Sequence, residues 1–138
     1  MLREQHLENI QKLHRNIFIL GRIPEEEKQR HLRTAHVCPL PFDAKDKLMG
    51  GARLKALECL AHGKVVITTS AGVEGISGAI DGVNMIIVDN FKDFEKRMIE
   101  VLKHPERYEQ LRRNATQLAK NYGWKNVLSP YLKIIEKV

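Results

Sequence analysis

The sequence lacks any apolar run near the roughly 20 residues that a bilayer-spanning helix needs. Its first twelve residues, MLREQHLENIQK, alternate charge where a signal peptide requires an unbroken apolar segment. Neither a membrane span nor a cleaved leader is read, and the expectation is a cytoplasmic protein. Cysteine is scarce: Cys38 and Cys59 stand in apolar surroundings with no CxxC spacing and no clustered histidine. That speaks against a disulfide framework or a zinc site, and the two read as buried free thiols. There is no GxxxxGK[ST] run, and GVEGISG neither matches GxGxxG nor opens a helix, so P-loop and dinucleotide readings are weak. Internal repeats, low-complexity tracts and linkers are also missing.

What is present suits one globular unit. With 138 residues, 43% of them hydrophobic, the chain can bury one sizeable core, and a single domain over 1–138 is expected. Lys and Arg number 23 against 17 Asp and Glu, a net charge of +6. Such a surface attracts phosphates, acidic lipid or nucleic acid without naming one. The basic residues are shared with glutamates in PEEEKQRHLR and HPERYEQLRR, as on solvated helix faces. No aromatic-interleaved basic stripe is present, so nucleic acid is not an expected partner. Peripheral membrane association is left open.

The apolar period switches repeatedly between helix-like and strand-like. Residues 2–14 read as an amphipathic helix and NIFIL (16–20) as a short strand ending at Gly21. Pro24 followed by three glutamates opens a helix to about Ala35. HVCPLP (36–41) is a strand closed by prolines, FDAKDKLMGG a polar loop, and 51–62 a helix capped by Gly63. KVVITT (64–69) suits burial on both faces, and NMIIVD (84–89) is the last strand. Helices follow over 91–103, from Pro105 to Gly123, and over 124–137. This alternation predicts an α/β, Rossmann-like fold: a mainly parallel sheet of about four strands, helices on both faces, and a helical C-terminus.

Ligands of such sheets bind outside the carboxyl ends of the strands. GGARLKALECLAHGKVVITTSAGVEGI (50–76) falls there. Gly50 and Gly51 permit close backbone approach, and the first helical N–H groups, expected at Gly51, Ala52 and Arg53, form an anion site. Glu58 lies one turn further in, beside an apolar stripe of Leu54, Leu57 and Ala61, with its carboxylate leaning toward the helix N-terminus. A ribose diol would supply the donors such a carboxylate needs. The alternative is an exposed ion pair of Glu58 with Lys55 at i−3. His62, just before the capping glycine, reads as an exposed histidine at the negative helix end rather than a base.

The block from Gly50 to Ile76, followed by GVNMIIVD, resembles the donor-binding half of family 4 glycosyltransferases of GT-B architecture. NIFILGRIPEEEKQRHLRTAHVCPLP, NYGW and YLKII are compatible with its flanks. The resemblance implies transfer of a sugar from a nucleotide-sugar, with retention at the anomeric carbon and no essential metal or other cofactor. Glu58 matches the second glutamate of the family's pair and would bind the nucleotide ribose. The first would fall at Gly50, so that carboxylate is replaced here, and Arg53 is the candidate polar group in its place. Gly51 and Ala52 would face the pyrophosphate, with Leu54 beside them, and Glu74 and Gly75 match a second glycine loop near the donor. The family's first two strand–helix units of this domain and its acceptor-binding domain are not matched. An acceptor domain or second chain, a homodimer included, is therefore an expected partner, and the isolated chain is expected to be inactive. The rival reading is a non-catalytic partner subunit or degenerate sugar-nucleotide-binding module.

Overall fold

The computed structural model describes residues 9–43 and 53–135. The chain divides into two compact units, Met1–His31 and Leu32–Val138. In the first, residues 9–13 are helical. Helix α1, Glu25–Thr34, begins with Glu25, Glu26 and Glu27 in its first turn, at the positive end of the helix dipole.

The expected strand at 16–20 is not formed. Residues 17–20 have no regular structure, and Ile17, Phe18 and Leu20 are exposed. Local bonds replace a ladder: the Ile17 amide donates to the His14 carbonyl (3.0 Å) and that of Ile19 to the Gln11 side-chain oxygen (2.9 Å). β-Branched residues favour a strand only where a neighbour offers packing and backbone partners.

The second unit is α/β. Among the described residues it holds three strands, β1 (Val37–Leu40), β2 (Val65–Thr68) and β3 (Ile86–Ile87), in the order β1-β2-β3. Both pairings are parallel: Val37 to Leu40 sit opposite Val65 to Thr68, while Ile67 and Thr68 sit opposite Ile86 and Ile87. Every residue of β2 is buried, as expected for a strand covered on both faces. Pro39, which cannot donate to a ladder, lies in β1, which has one neighbour among the described strands.

Alternation along β2 sorts the core into two layers. Val66 faces Cys38, the buried side of α2 (Leu54–Ala61) and Ala115 and Leu118 of α4 (Glu109–Lys120). Val65 and Ile67 face Ile86, Phe94 and Val101 of α3 (Phe91–Lys103), and Leu111. Helices therefore cover both faces. The α2 helix ends where Gly63, at φ +64°, takes the left-handed conformation. Its amide donates to the Leu60 carbonyl and that of Lys64 to the Cys59 carbonyl, closing the helix end. A 3-10 turn, Pro105–Tyr108, leads into α4, and α5, Trp124–Ile135, forms the helical C-terminus.

Candidate functional site

Parallel strands put their carboxyl ends on one edge, and here those ends are tied together by side chains. The Thr68 hydroxyl donates to the Leu40 carbonyl and that of Thr69 to the Phe42 carbonyl, each at 2.8 Å. The segment leaving β1 is thereby clamped to the end of β2. A 3-10 turn, Ser70–Val73, follows. Gly72 lets it lie against that clamp: a Cβ there would collide with the Thr68 hydroxyl and stand 2.8 Å from a Phe42 ring carbon.

β3 joins the same edge. The Val88 amide donates to the Thr68 carbonyl. The Asp89 carboxylate accepts from the Ser70 amide (2.8 Å) and the Ser70 hydroxyl (2.6 Å). The hydroxyl bond first, and the amide bond second, hold the Asp89 carboxyl below its ordinary value.

Arg53 completes the arrangement. Its Nε donates to the Ala71 carbonyl at 3.1 Å, its guanidinium carbon lies 4.3 Å from the centroid of the Phe42 ring, and Nη2 is 3.7 Å from a Glu74 carboxylate oxygen. The side chain is only 12% exposed. One arginine thus joins the segment after β1 and the turn after β2 to the entry of α2. Stacking and hydrogen bonding together suit a planar guanidinium and not an ammonium.

The site residues expected from the sequence fare differently. Gly50, Gly51 and Ala52 lie outside the described residues. Arg53 and Glu74 are brought together, and Gly75, at φ +76°, turns the chain just beyond them. The helix starts later than expected, at Leu54, with Arg53 as its N-cap. As the N-cap, Arg53 keeps a backbone (ψ 84°) outside the helical range. Intrahelical bonding begins with the Ala56 amide on the Arg53 carbonyl. The leading helical amides are therefore those of Leu54 and Lys55.

The expected apolar stripe of α2 is met only at Leu57, which packs against the core. Leu54 is 75% exposed and Ala61 is exposed, and the buried residues are Ala56, Cys59 and Leu60. Glu58 is half-buried in the second turn, on the side away from Ala56 and Leu60. His62, the C-cap residue, is also half-buried rather than exposed. Cys38 and Cys59 are free and buried. The Cys59 thiol is pushed up by its bond with Cys38, then by burial, with the Glu58 charge adding to this, so it stays neutral.

Phe42, Thr68, Thr69, Ser70 and Asp89 were not singled out from the sequence. The signal available was position: hydroxyl residues at the end of one predicted strand and a carboxylate at the end of the next. Among the described residues no three His, Cys, Asp or Glu side chains are grouped to hold a metal ion. A cavity of about 230 Å³ lies elsewhere, lined by Asp81, Arg97, Tyr108 and Asn114 among others. Its polar groups are engaged locally: Asp81 accepts from the Ile87 amide, Arg97 pairs with Glu100, and Asn114 donates to the Val83 carbonyl.

A family model described as "Glycosyl transferases group 1" matches residues 2–104. Among curated proteins the chain finds no match.

Proposed function

The chain belongs to the group 1 glycosyl transferases, and from that premise we propose that it forms the donor-binding half of a retaining, metal-independent enzyme using a nucleotide-sugar. The observation that carries this reading is the position of Arg53. It draws the N-terminus of α2 and the turn at residues 70–74 onto one edge of the sheet, where the carboxyl ends of parallel strands open.

In this reading the donor diphosphate lies against the leading amides of α2, at Leu54 and Lys55, where the helix dipole and the Lys55 ammonium favour negative charge. Gly50, Gly51 and Ala52 supply the close backbone approach. Glu58, one turn further along, accepts from the ribose hydroxyls. Arg53 and Glu74 act as positioning residues that fix the two loops on either side, with Gly75 providing the turn. The reaction breaks the bond between the anomeric carbon and the phosphate oxygen, releases the nucleoside diphosphate, and joins the sugar to the acceptor with its configuration kept. The acceptor would be held by a further domain or second chain.

A thermal-shift series tests the reading, because a ligand that binds the folded state alone raises the melting temperature in proportion to the logarithm of its concentration over Kd. Uridine, guanosine or adenosine diphosphate should raise it, and a free hexose should not. If none of the three diphosphates does, the donor-site reading fails. A second reading, a sugar-nucleotide-binding module without turnover, is favoured by Gly50 standing where the family pattern has a glutamate. Binding with no release of labelled sugar in the presence of acceptors and partner chains would select it.

A further inference from the structure

Cys38 and Cys59 meet inside the core. Cys38 is the buried residue of β1, Cys59 is one of the buried residues of α2, and both belong to the layer that also holds Val66, Leu60 and Ala115. Their side chains are hydrogen-bonded to each other. They are the chain's two cysteines, both free thiols, and neither has a part in the proposed donor site. Their surroundings are not symmetric. The bond from Cys59 is the main influence holding the Cys38 thiol below its ordinary value; burial opposes it and the Lys64 ammonium assists. Lys64 is itself fixed on the Arg33 carbonyl at 2.7 Å. Cys59 is pushed the other way, by Cys38 first and by burial second. The thiolate is the reactive form of cysteine, so Cys38 is the nucleophile of the pair and Cys59 the partner that keeps its proton.

We propose that Cys38 and Cys59 are a redox latch: hydrogen peroxide converts the hydrogen-bonded pair into an internal disulfide that ties α2 to β1, and a dithiol releases it. In the first step the Cys38 thiolate attacks one peroxide oxygen and the O–O bond breaks. The departing hydroxide takes up the proton that Cys38 had lost, leaving water and a Cys38 sulfenic acid. In the second step the Cys59 sulfur attacks the Cys38 sulfur, the S–O bond breaks, and the hydroxide leaves as water with the Cys59 proton. The two sulfurs together give up the two electrons that the peroxide gains. Cys38 lies in a strand with one neighbour among the described strands, where local opening admits so small an oxidant. The ring closed by the bond contains the segment 39–58, which carries Phe42, Arg53 and Glu58. The latch therefore restrains the stretch of chain that joins β1 to the candidate site. A metal does not suit the pair, because among the described residues no three His, Cys, Asp or Glu side chains are grouped to hold one.

The test treats the full reduced chain, freed of reductant, with hydrogen peroxide. Both thiols should vanish from a thiol titration in denaturant, peptide mapping of the monomer should find Cys38 linked to Cys59, and dithiothreitol should restore both thiols. Because a cross-link restricts the unfolded chain, the urea midpoint should rise on oxidation and fall back on reduction. Cys59→Ala should leave Cys38 as a sulfenic acid that dimedone traps. In the Cys38→Ala chain, Cys59 should consume peroxide at least about tenfold more slowly than Cys38 does in the Cys59→Ala chain. Melting curves establish that both variants fold, and the measurements on the parent chain need neither. Thiols that stay titratable after peroxide, oxygen added to the cysteines without a cross-link, or a link found only between two chains overturns the proposal. So does an internal link that leaves the urea midpoint unchanged, since the bond would then restrain nothing. Equal reaction of the two single cysteines overturns the assignment of Cys38 as the nucleophile.

Discussion

The Arg53 guanidinium lies over the face of Phe42, 4.3 Å from the ring centroid, while its Nε holds the Ala71 carbonyl. Arg53→Lys keeps the charge but cannot keep both the stack and this donor. Losing a net hydrogen bond and a cation–π contact at a nearly buried position should cost about 1–2 kcal/mol. Urea denaturation should show this as a lower midpoint at unchanged slope. A midpoint equal to that of the parent chain would mean that Arg53 does not hold the edge together.

Gly72 is required for space rather than for backbone conformation. A methyl group there meets the Thr68 hydroxyl and the Phe42 ring, both already fixed by other bonds. Gly72→Ala should destabilise by about 1–3 kcal/mol, the usual cost of overpacking. Thr68→Ala in the same chain removes the obstructing hydroxyl, so the two losses should be less than additive in a double-mutant cycle. Strict additivity would argue that the turn does not press on Thr68.

The Ser70–Asp89 clasp sets a pH dependence. Asp89 has a lowered carboxyl pKa in the folded chain, so the unfolded chain takes up its proton more readily. The clasp's contribution is complete above the ordinary aspartate value of about 3.9. It is lost as pH falls from there through the lowered folded value. Ser70→Ala should therefore flatten the acid limb of stability against pH below about 4, with smaller change in slope at neutral pH. Chemical denaturation across the acid range compares the two curves, and parallel acid limbs would remove the clasp from the account.

Much of the fold was legible because the bounding residues have local causes. Pro24 with its glutamates, Pro105 and Gly63 each act within one turn of the chain, and the helix ends they set are found where expected. The segment 16–20 was misread because a β-branched run reports a preference for burial and not the presence of a neighbour. The face of α2 was misread for a related reason. Leu54, Leu57 and Ala61 share one side of the helix, and Ala56, Cys59 and Leu60 share another. On an eight-residue helix with apolar residues around most of it, spacing cannot choose between them. Arg53 and Glu74 were recognised, but their link to Phe42 was not, because stacking across a loop leaves no periodic trace. Asp89 was visible as the end of a strand, whereas its partnership with Ser70 depends on the register of β2 and β3.

Isothermal calorimetry of nucleoside diphosphates on the parent chain and on Glu58→Gln tests the donor-site account most directly. A charged acceptor forms hydrogen bonds worth roughly 1.5–3 kcal/mol, and replacing it by a neutral amide should weaken binding about tenfold or more. Glu58 is half-buried and lies outside the buried face of α2, so the melting temperature without ligand should hold. The account predicts tight binding by the parent chain, about tenfold or greater loss in the variant, and unchanged folding. Equal affinities in the two chains would contradict it and leave Glu58 a surface carboxylate.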